Sequence, residues 1–214
     1  PTADVEGIDA MRKICILGAI CFGKLLDTKT IHCEGITKVR LIDHENAQKL
    51  NSKIKLIGSA WTVDGKIIEC VRPCLVGEVN PLHSISDVFN GILASGDYSG
   101  DVMFYGRGAG AEPTASAVVS DIVDIAVSKD SPKKIYWERA TDFDVYDYED
   151  YAYSRYISVD AKMKDKLLAC GVEIKQVVAD DGEFSAVIGE LTDRELEKIT
   201  SESGIELLAN ICIL

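Results

Sequence analysis

The sequence is short of positive charge. Against 35 acidic residues it sets 23 lysines and arginines, for a formal net charge of −12. A polyanion is bound by clustered Lys and Arg that displace its counterions, so nucleic acid and anionic membrane surfaces are excluded as the main partner. Long apolar runs are lacking too, since none approaches the roughly 20 residues that span a bilayer. The opening PTADVEGIDA has neither the basic nor the apolar region of a secretory leader, which makes a cytoplasmic location the expectation. The chain starts at Pro1 rather than Met and is expected to be a piece of something longer. Only three histidines are present, His32, His44 and His83, with no shared spacing. The seven cysteines (15, 21, 33, 70, 74, 170 and 212) are scattered. Cys70 and Cys74 are the nearest pair, but CVRPC has no second pair or nearby histidine to complete a tetrahedral set. No metal is expected, and the thiols are expected to be free and buried in a reducing compartment.

What is present is apolar material enough for a core: 47% of 214 residues, fitting one large domain or two small ones. Residues 5 to 23 are apolar at nearly every position after Lys13 and end in Gly23, which reads as a mostly buried helix capped by Thr2 or Asp4. DHENAQKLNSK reads as an exposed helix with Asp43 as its cap. KIKLIGSAWTV, KIIECVRPCLV, GILASG and DVMFYG read as strands, the first two joined in a hairpin at Asp64-Gly65. A helix over about 112–128 follows. The acidic, aromatic stretch 138–151 reads as a linker or exposed strand. Beyond it the order is βαββαβ, with a hairpin at Asp181-Gly182 and a capping box opened by Thr192. The expected class is therefore α+β, a mixed sheet flanked by helices followed by a small split βαββαβ unit. The expected division is 1–140, an acidic linker at 141–150, and 151–214.

Two stretches carry chemistry. In MFYGRGAGAEPTASAVVSDI, glycines 106, 108 and 110 stand between a strand and a helix. A dinucleotide fingerprint needs G-x-G-x-x-G, and here the third glycine comes one position early with no parallel strand ending in an acid after the helix. A complete Rossmann site is rejected. A helix N-terminus whose backbone N–H groups face a close-approaching ligand remains open, as does a tight turn that needs glycine for its backbone angles. In PTADVEGIDAMRK, Asp9 and Lys13 lie four apart on one face, with Asp4 and Glu6 just before them. Carboxylates beside a lysine can hold an ammonium group next to a proton donor. The plainer alternative is a surface ion pair worth under about 1 kcal/mol. Because only apolar residues follow Lys13 on this helix, the pair is expected to be partly buried where the helix enters the core.

PTADVEGIDAMRK together with FYGRGAGAEPTASAVVSDI resembles the catalytic half of homoserine dehydrogenases. IHCEGI, ENAQKL, IKLIGSA, EVNPLHSISDVFNGI and SGDYSGDVMFYG fit the same family in the same order, over residues 1 to about 128. The C-terminal unit is similar to an ACT domain, a ligand-binding module that adopts a ferredoxin-like fold, with SRYISV matching its first strand. The resemblance implies interconversion of L-aspartate 4-semialdehyde and L-homoserine with NADP or NAD, on the way to threonine and methionine. By the same resemblance Lys13 is the acid/base lysine, Asp4 and Asp9 bind the small-molecule substrate, and Gly108, Ala109 and Gly110 approach the cofactor. It also implies a homodimer. The family's dinucleotide-binding domain precedes the matched region, so this chain is expected to be inactive alone. The ACT-like unit lacks the family's Pro-Gly at the turn into its first helix, reading SVDAKMKDKLL. That puts control by threonine in question. The other class of function compatible with the sequence is a regulatory module that binds an amino acid through 151–214.

Overall fold

The computed structural model describes residues 2–129, 134 and 136–214. The first segment is two helices rather than one, α1 (Thr2–Val5) and α2 (Ile8–Phe22). Gly7 breaks it with φ 78° and ψ 3°, a left-handed corner that glycine adopts without steric cost. Gly7 itself is the N-cap of α2, so neither Thr2 nor Asp4 caps that helix. Gly23 closes it in the same conformation, its N–H donating to the Ala19 carbonyl at 2.9 Å. Nor is α2 mostly buried. Cys15, Gly18 and Ala19 are covered, whereas Ile16 and Ile20 are about half exposed.

The chain continues through β1 (Lys24–Leu25), β2 (His32–Cys33) and α3 (Leu41–Lys49), then β3 (Ser52–Val63) and β4 (Lys66–Gly77). Next come β5 (Phe89–Gly96), β6 (Gly100–Arg107), α4 (Ala111–Val127) and β7 (Glu138–Arg139). The last part is β8 (Tyr153–Asp160), α5 (Lys164–Ala169), β9 (Ile174–Asp181), β10 (Glu183–Leu191), α6 (Asp193–Ser203) and β11 (Leu207–Ile213). This is the expected α+β chain. Asp64 (φ 50°) and Gly65 (φ 77°) make the tight turn between β3 and β4, whose register runs unbroken from Val63↔Lys66 to Ser52↔Gly77. Thr192 and Glu195 form the expected reciprocal cap at α6, with bonds of 3.1 and 2.9 Å. Asp43, expected to cap α3, lies one turn inside it. Arg40 is the cap residue, and its backbone N–H donates to the Asp43 carboxylate at 2.9 Å.

Contacts divide the chain into two compact units, Pro1–Gly77 with Tyr136–Leu214, and Glu78–Ile135. The first is built on a mixed sheet in the order β2-β4-β11-β8-β10-β9, with β3 also paired to β4. β3 takes one edge of β4. β2 and β11 share the other, both parallel to β4, at Cys70–Val71 and at Cys74–Leu75. The β8–β11 part has the order β11-β8-β10-β9, with α5 packed on one face through Leu167 and α6 burying Leu196. Its other face is covered by α3, where Ala47 meets Tyr156 and Leu75. The acidic stretch is held down as well. Ile67 donates its N–H to the Asp144 carbonyl at 2.8 Å and accepts from the Tyr146 N–H at 2.9 Å, and Tyr148 is buried with its hydroxyl accepting from Arg72 at 2.6 Å. The second unit is the β5–β6 hairpin and α4, opened by a turn at Pro81–Ser84 that the Asn80 side chain caps. Cys15, Cys70, Cys74 and Cys212 are buried free thiols as expected. Cys21 is exposed, because it lies on the open side of α2.

β4 is buried without interruption from Ile67 to Val76. Glu69 sits in that run, 2% exposed, beneath α2. Neither of its carboxylate oxygens has a hydrogen-bond partner among the described residues. A Cβ on Gly18 would fall 2.9 Å from the Glu69 carboxyl carbon, so the helix clears the acid only because residue 18 has no side chain. Burial without a partner pushes the Glu69 carboxyl up to about 7. The native state then holds this proton more tightly than the unfolded chain, whose glutamate titrates near 4.5. Stability contributed by the neutral acid is complete below about pH 4.5 and is lost as pH rises toward 7. At about 1.36 kcal/mol per pH unit the loss is at most about 3 kcal/mol. Glu69→Gln should remove it: urea unfolding at pH 8 should show the variant more stable by about 1–3 kcal/mol, with little difference near pH 4. Wild-type and variant curves that stay parallel across that range would show that the carboxyl is solvated.

Candidate functional site

Three of the residues singled out in the sequence gather at the start of the first unit. α1 carries Asp4, the Gly7 corner redirects the chain, and the first turn of α2 presents Asp9 one turn ahead of Lys13. Lys13 Nζ lies 2.7 Å from Asp9 Oδ2, the contact expected of an i, i+4 pair. The side chains of Lys13 and Asp9 are 59% and 47% exposed, so Asp9 is partly buried as expected and Lys13 is more open than expected. The reason is rotational. α2 rests on the sheet through Ala10, Ile14 and Gly18, where a Cβ on Gly58 would touch Ile14 Cβ at 3.3 Å. Asp9 and Lys13 belong to a different stripe, continued by Ile16 and Ile20 at the i, i+4, i+7, i+11 spacing, and that stripe faces solvent.

The corner that sets these residues is walled by the IHCEGI loop, to which the sequence assigned no part in the site. Ile36 donates its N–H to the Val5 carbonyl at 2.8 Å, and the Cys33 thiol reaches the Glu6 carbonyl at 3.4 Å. Glu34 N–H in turn donates to Val71 O on β4 at 2.8 Å. Burial raises the Cys33 thiol and the Glu34 carboxyl above their ordinary ranges, with Glu6 adding to the first and Lys38 opposing the second. IHCEGI matched the family as a stretch, but nothing local, neither periodicity nor charge, marked its glycine as a contact.

The glycine loop lies in the second unit. β6 ends at Arg107, and α4 opens at Ala111 behind Gly110, whose φ of 123° is barred to other residues without strain. No side chain caps the first turn of α4 among the described residues, and Pro113 sits within that turn. Gly108 donates its N–H to Val88 O at 3.1 Å, and a Cβ there would lie 2.7 Å from Asn90 Oδ1. Asn90, missed in the sequence, therefore packs directly on the loop. Among the described residues nothing stands within 4 Å of where a Gly106 Cβ would be. The loop is thus bare backbone on one side and braced by Asn90 on the other.

The sequence profile of homoserine dehydrogenase matches residues 1–123. The chain belongs to the homoserine dehydrogenase family. It is 46% identical over 129 residues to the homoserine dehydrogenase of Synechocystis, a match covering 58% of this chain and 30% of that protein. The Neisseria gonorrhoeae enzyme is 43% identical over 127 residues, covering 59% and 29%. Among solved structures, a homoserine dehydrogenase from Thiobacillus denitrificans superimposes with a TM-score of 0.86 at 26% identity, covering 100% of this chain and 54% of the other. The Staphylococcus aureus enzyme gives 0.79 at 32% identity, covering 100% and 55%. The chain thus spans under a third of the curated relatives it matches and about half of the solved structures. The mixed sheet with flanking helices is that of the homoserine dehydrogenase fold. Both motifs that stood apart lie within the matched residues, one in each compact unit.

An ion pair as exposed as Asp9–Lys13 adds under about 1 kcal/mol to stability. Asp9→Asn and Lys13→Ala should each leave the urea midpoint of this chain within that margin. A loss of several kcal/mol in either variant would make the pair a structural element instead.

Proposed function

We propose that this chain is the substrate-binding part of an NADP- or NAD-dependent enzyme that interconverts L-aspartate 4-semialdehyde and L-homoserine. The single observation that carries the reading is Lys13 held 2.7 Å from Asp9 on a face open to ligand, within a homoserine dehydrogenase match that runs from residue 1 to 123. Asp4 and Asp9 bind the substrate, their carboxylates supplying the charge that an ammonium group seeks. Lys13 gives a proton to the aldehyde oxygen as the carbonyl carbon is reduced, and takes it back from the hydroxyl in the other direction. Asp9 keeps that ammonium from swinging away. The nicotinamide cofactor, when bound, supplies and accepts the hydride.

The residues of this chain fit a wall for such a group. Gly108, Ala109 and Gly110 expose backbone and one methyl ahead of α4, and Asn90 braces the loop from behind. Bare backbone of this kind can be approached closely by a flat ring, whereas the loop lacks the G-x-G-x-x-G cradle that holds a dinucleotide along its length. The main cofactor contacts then come from a further domain and the chain alone is inactive; by its family resemblance the enzyme is a cytoplasmic homodimer. The 151–214 segment is proposed as ACT-like, supported by its βαββαβ order and its spatial order β11-β8-β10-β9. Among the described residues no helix is long and apolar enough to cross a membrane.

The test is NAD(P)H-dependent reduction of aspartate semialdehyde by the protein with its nucleotide-binding domain present. Lys13→Ala should lower turnover by roughly 10²–10⁴, the range lost with general acid–base catalysis. Unchanged turnover would remove Lys13 from the mechanism. An inactive wild type would reduce the resemblance to fold alone.

A further inference from the structure

We infer that Gly35, with Cys33 and Ile36, is a positioning wall that fixes the Val5–Gly7 corner and thereby sets where Asp4 and Asp9 meet the substrate. The inference rests on the reading of this corner as the substrate site and adds residues that the reading does not contain.

Three observations converge. The first is contact. A Cβ on Gly35 would lie 2.5 Å from Glu6 Cα and 3.1 Å from the Glu6 carbonyl carbon. Both are backbone atoms, so nothing can swing aside to admit even a methyl group. Gly35 is not among the glycines with positive φ, so its backbone angles make no demand for glycine, and the close approach alone does. The second is bonding. Ile36 N–H and the Cys33 thiol take the carbonyls of Val5 and Glu6, two successive groups of the connection between α1 and α2. The third is anchorage. Cys33 pairs with Val71 in the β2–β4 ladder, Glu34 bonds the Val71 carbonyl, and a Cβ on Gly7 would touch Val71 Cγ1 at 2.9 Å and Cys33 Sγ at 3.3 Å.

The resulting line of contacts runs from β4 to Cys33–Glu34, to Gly35–Ile36, to Val5–Gly7, and ends at carboxylates on either side. β4 is the most buried strand of the unit, so the wall stands on ground that does not yield. Admitting a methyl at residue 35 requires the corner to retreat by about 1 Å. Misplacement on that scale lowers the rate of a reaction that depends on positioning by about 10²-fold.

The experiment compares Gly35→Ala, the milder Cys33→Ala, and Gly65→Ala as a control. Gly65 is at a hairpin tip with φ 77° and, among the described residues, nothing within 4 Å of its Cβ position, so alanine there strains the fold without touching the corner. Two readouts are taken: the separate KM values for semialdehyde and NAD(P)H in the protein with its nucleotide domain, and backbone amide shifts of residues 4–13 in this chain. A positioning wall predicts a semialdehyde KM raised about tenfold or more in Gly35→Ala and less in Cys33→Ala. The NAD(P)H KM should not move, and Gly65→Ala should keep both values. Gly35→Ala behaving as Gly65→Ala does, with lower thermal stability and unaltered KM values, overturns the inference. If Gly35→Ala fails to fold, Cys33→Ala decides by the same split. If the wild type does not turn over the semialdehyde, the functional reading fails on its own. The amide shifts then judge the wall: displaced signals over 4–13 support it, and signals that stay in place overturn it.

Discussion

Everything in the larger unit depends on β4 being buried on both faces and paired on both edges. Ten consecutive buried residues leave no exposed side against which a neighbour could slip. β3 is locked along one edge, and β2 and β11 divide the other, so segments from both ends of the chain are registered on one strand. Small residues then set how near the helix comes. Gly58 on β3 and Gly18 on α2 stand where a side chain would meet Ile14 or Glu69. Close approach turns the face carrying Asp9 and Lys13 outward, and the motif's exposure follows from the packing beneath it.

The polar groups inside the unit show two outcomes of burial. Arg155 is fully buried and answered on every side. It bonds Asp193 at 2.6 Å and the Leu191 carbonyl at 2.7 and 3.2 Å, with its guanidinium 3.8 Å from the Tyr153 ring centre. Arg72 stacks on the same ring at 3.9 Å. Arg40 grips Asp43 and Glu183 together, and Ser158, Ser185, Asn46 and Tyr156 carry the network onward. Networks satisfied in this way fix a unique arrangement. They also tie α3 to β8 and β10 across more than a hundred residues of sequence, which is why contacts gather 151–214 and the first 77 residues into one unit. Glu69 is the other outcome. It is buried with no partner among the described residues, and the fold tolerates it by keeping the proton.

What could be read in the sequence was what local rules decide. Asp64-Gly65 between two β-rich runs has one good solution, and Thr192 with Glu195 three residues on has another. Strand and helix order came from periodicity. Failures came where a tertiary contact overruled a local pattern. The apolar run after Lys13 looked like a buried helix, yet only one side of it meets the sheet, and Gly7 cuts it before the run begins. Asp43 had a cap's identity and sits inside the helix because Arg40 reaches it from two directions. The stretch 138–151 read as a linker or an exposed strand, and Glu138–Arg139 is such a strand, but hydrophobic periodicity is blind to Tyr148 docking on an arginine. Within the candidate site, the pairing of Asp9 with Lys13 was readable from spacing. The wall at Cys33–Ile36 and the brace at Asn90 were not, since each is a contact between loops distant in sequence.

The stability contributed by each part of the corner is itself an argument about its purpose. An ion pair about half exposed adds little to folding, and Asp4 stands exposed within a four-residue helix. Yet the backbone that carries them is specified tightly. It needs a left-handed glycine at 7, a side-chain-free residue at 35, and two carbonyls bonded to a neighbouring loop. Glycines are costly to order, each by roughly 0.5–1 kcal/mol relative to alanine in regular structure. A fold under no demand but stability has cheaper ways to join two helices. Fixing weakly stabilising charges with expensive backbone is how a site is preorganised, because charges held before the ligand arrives need not be ordered when it does.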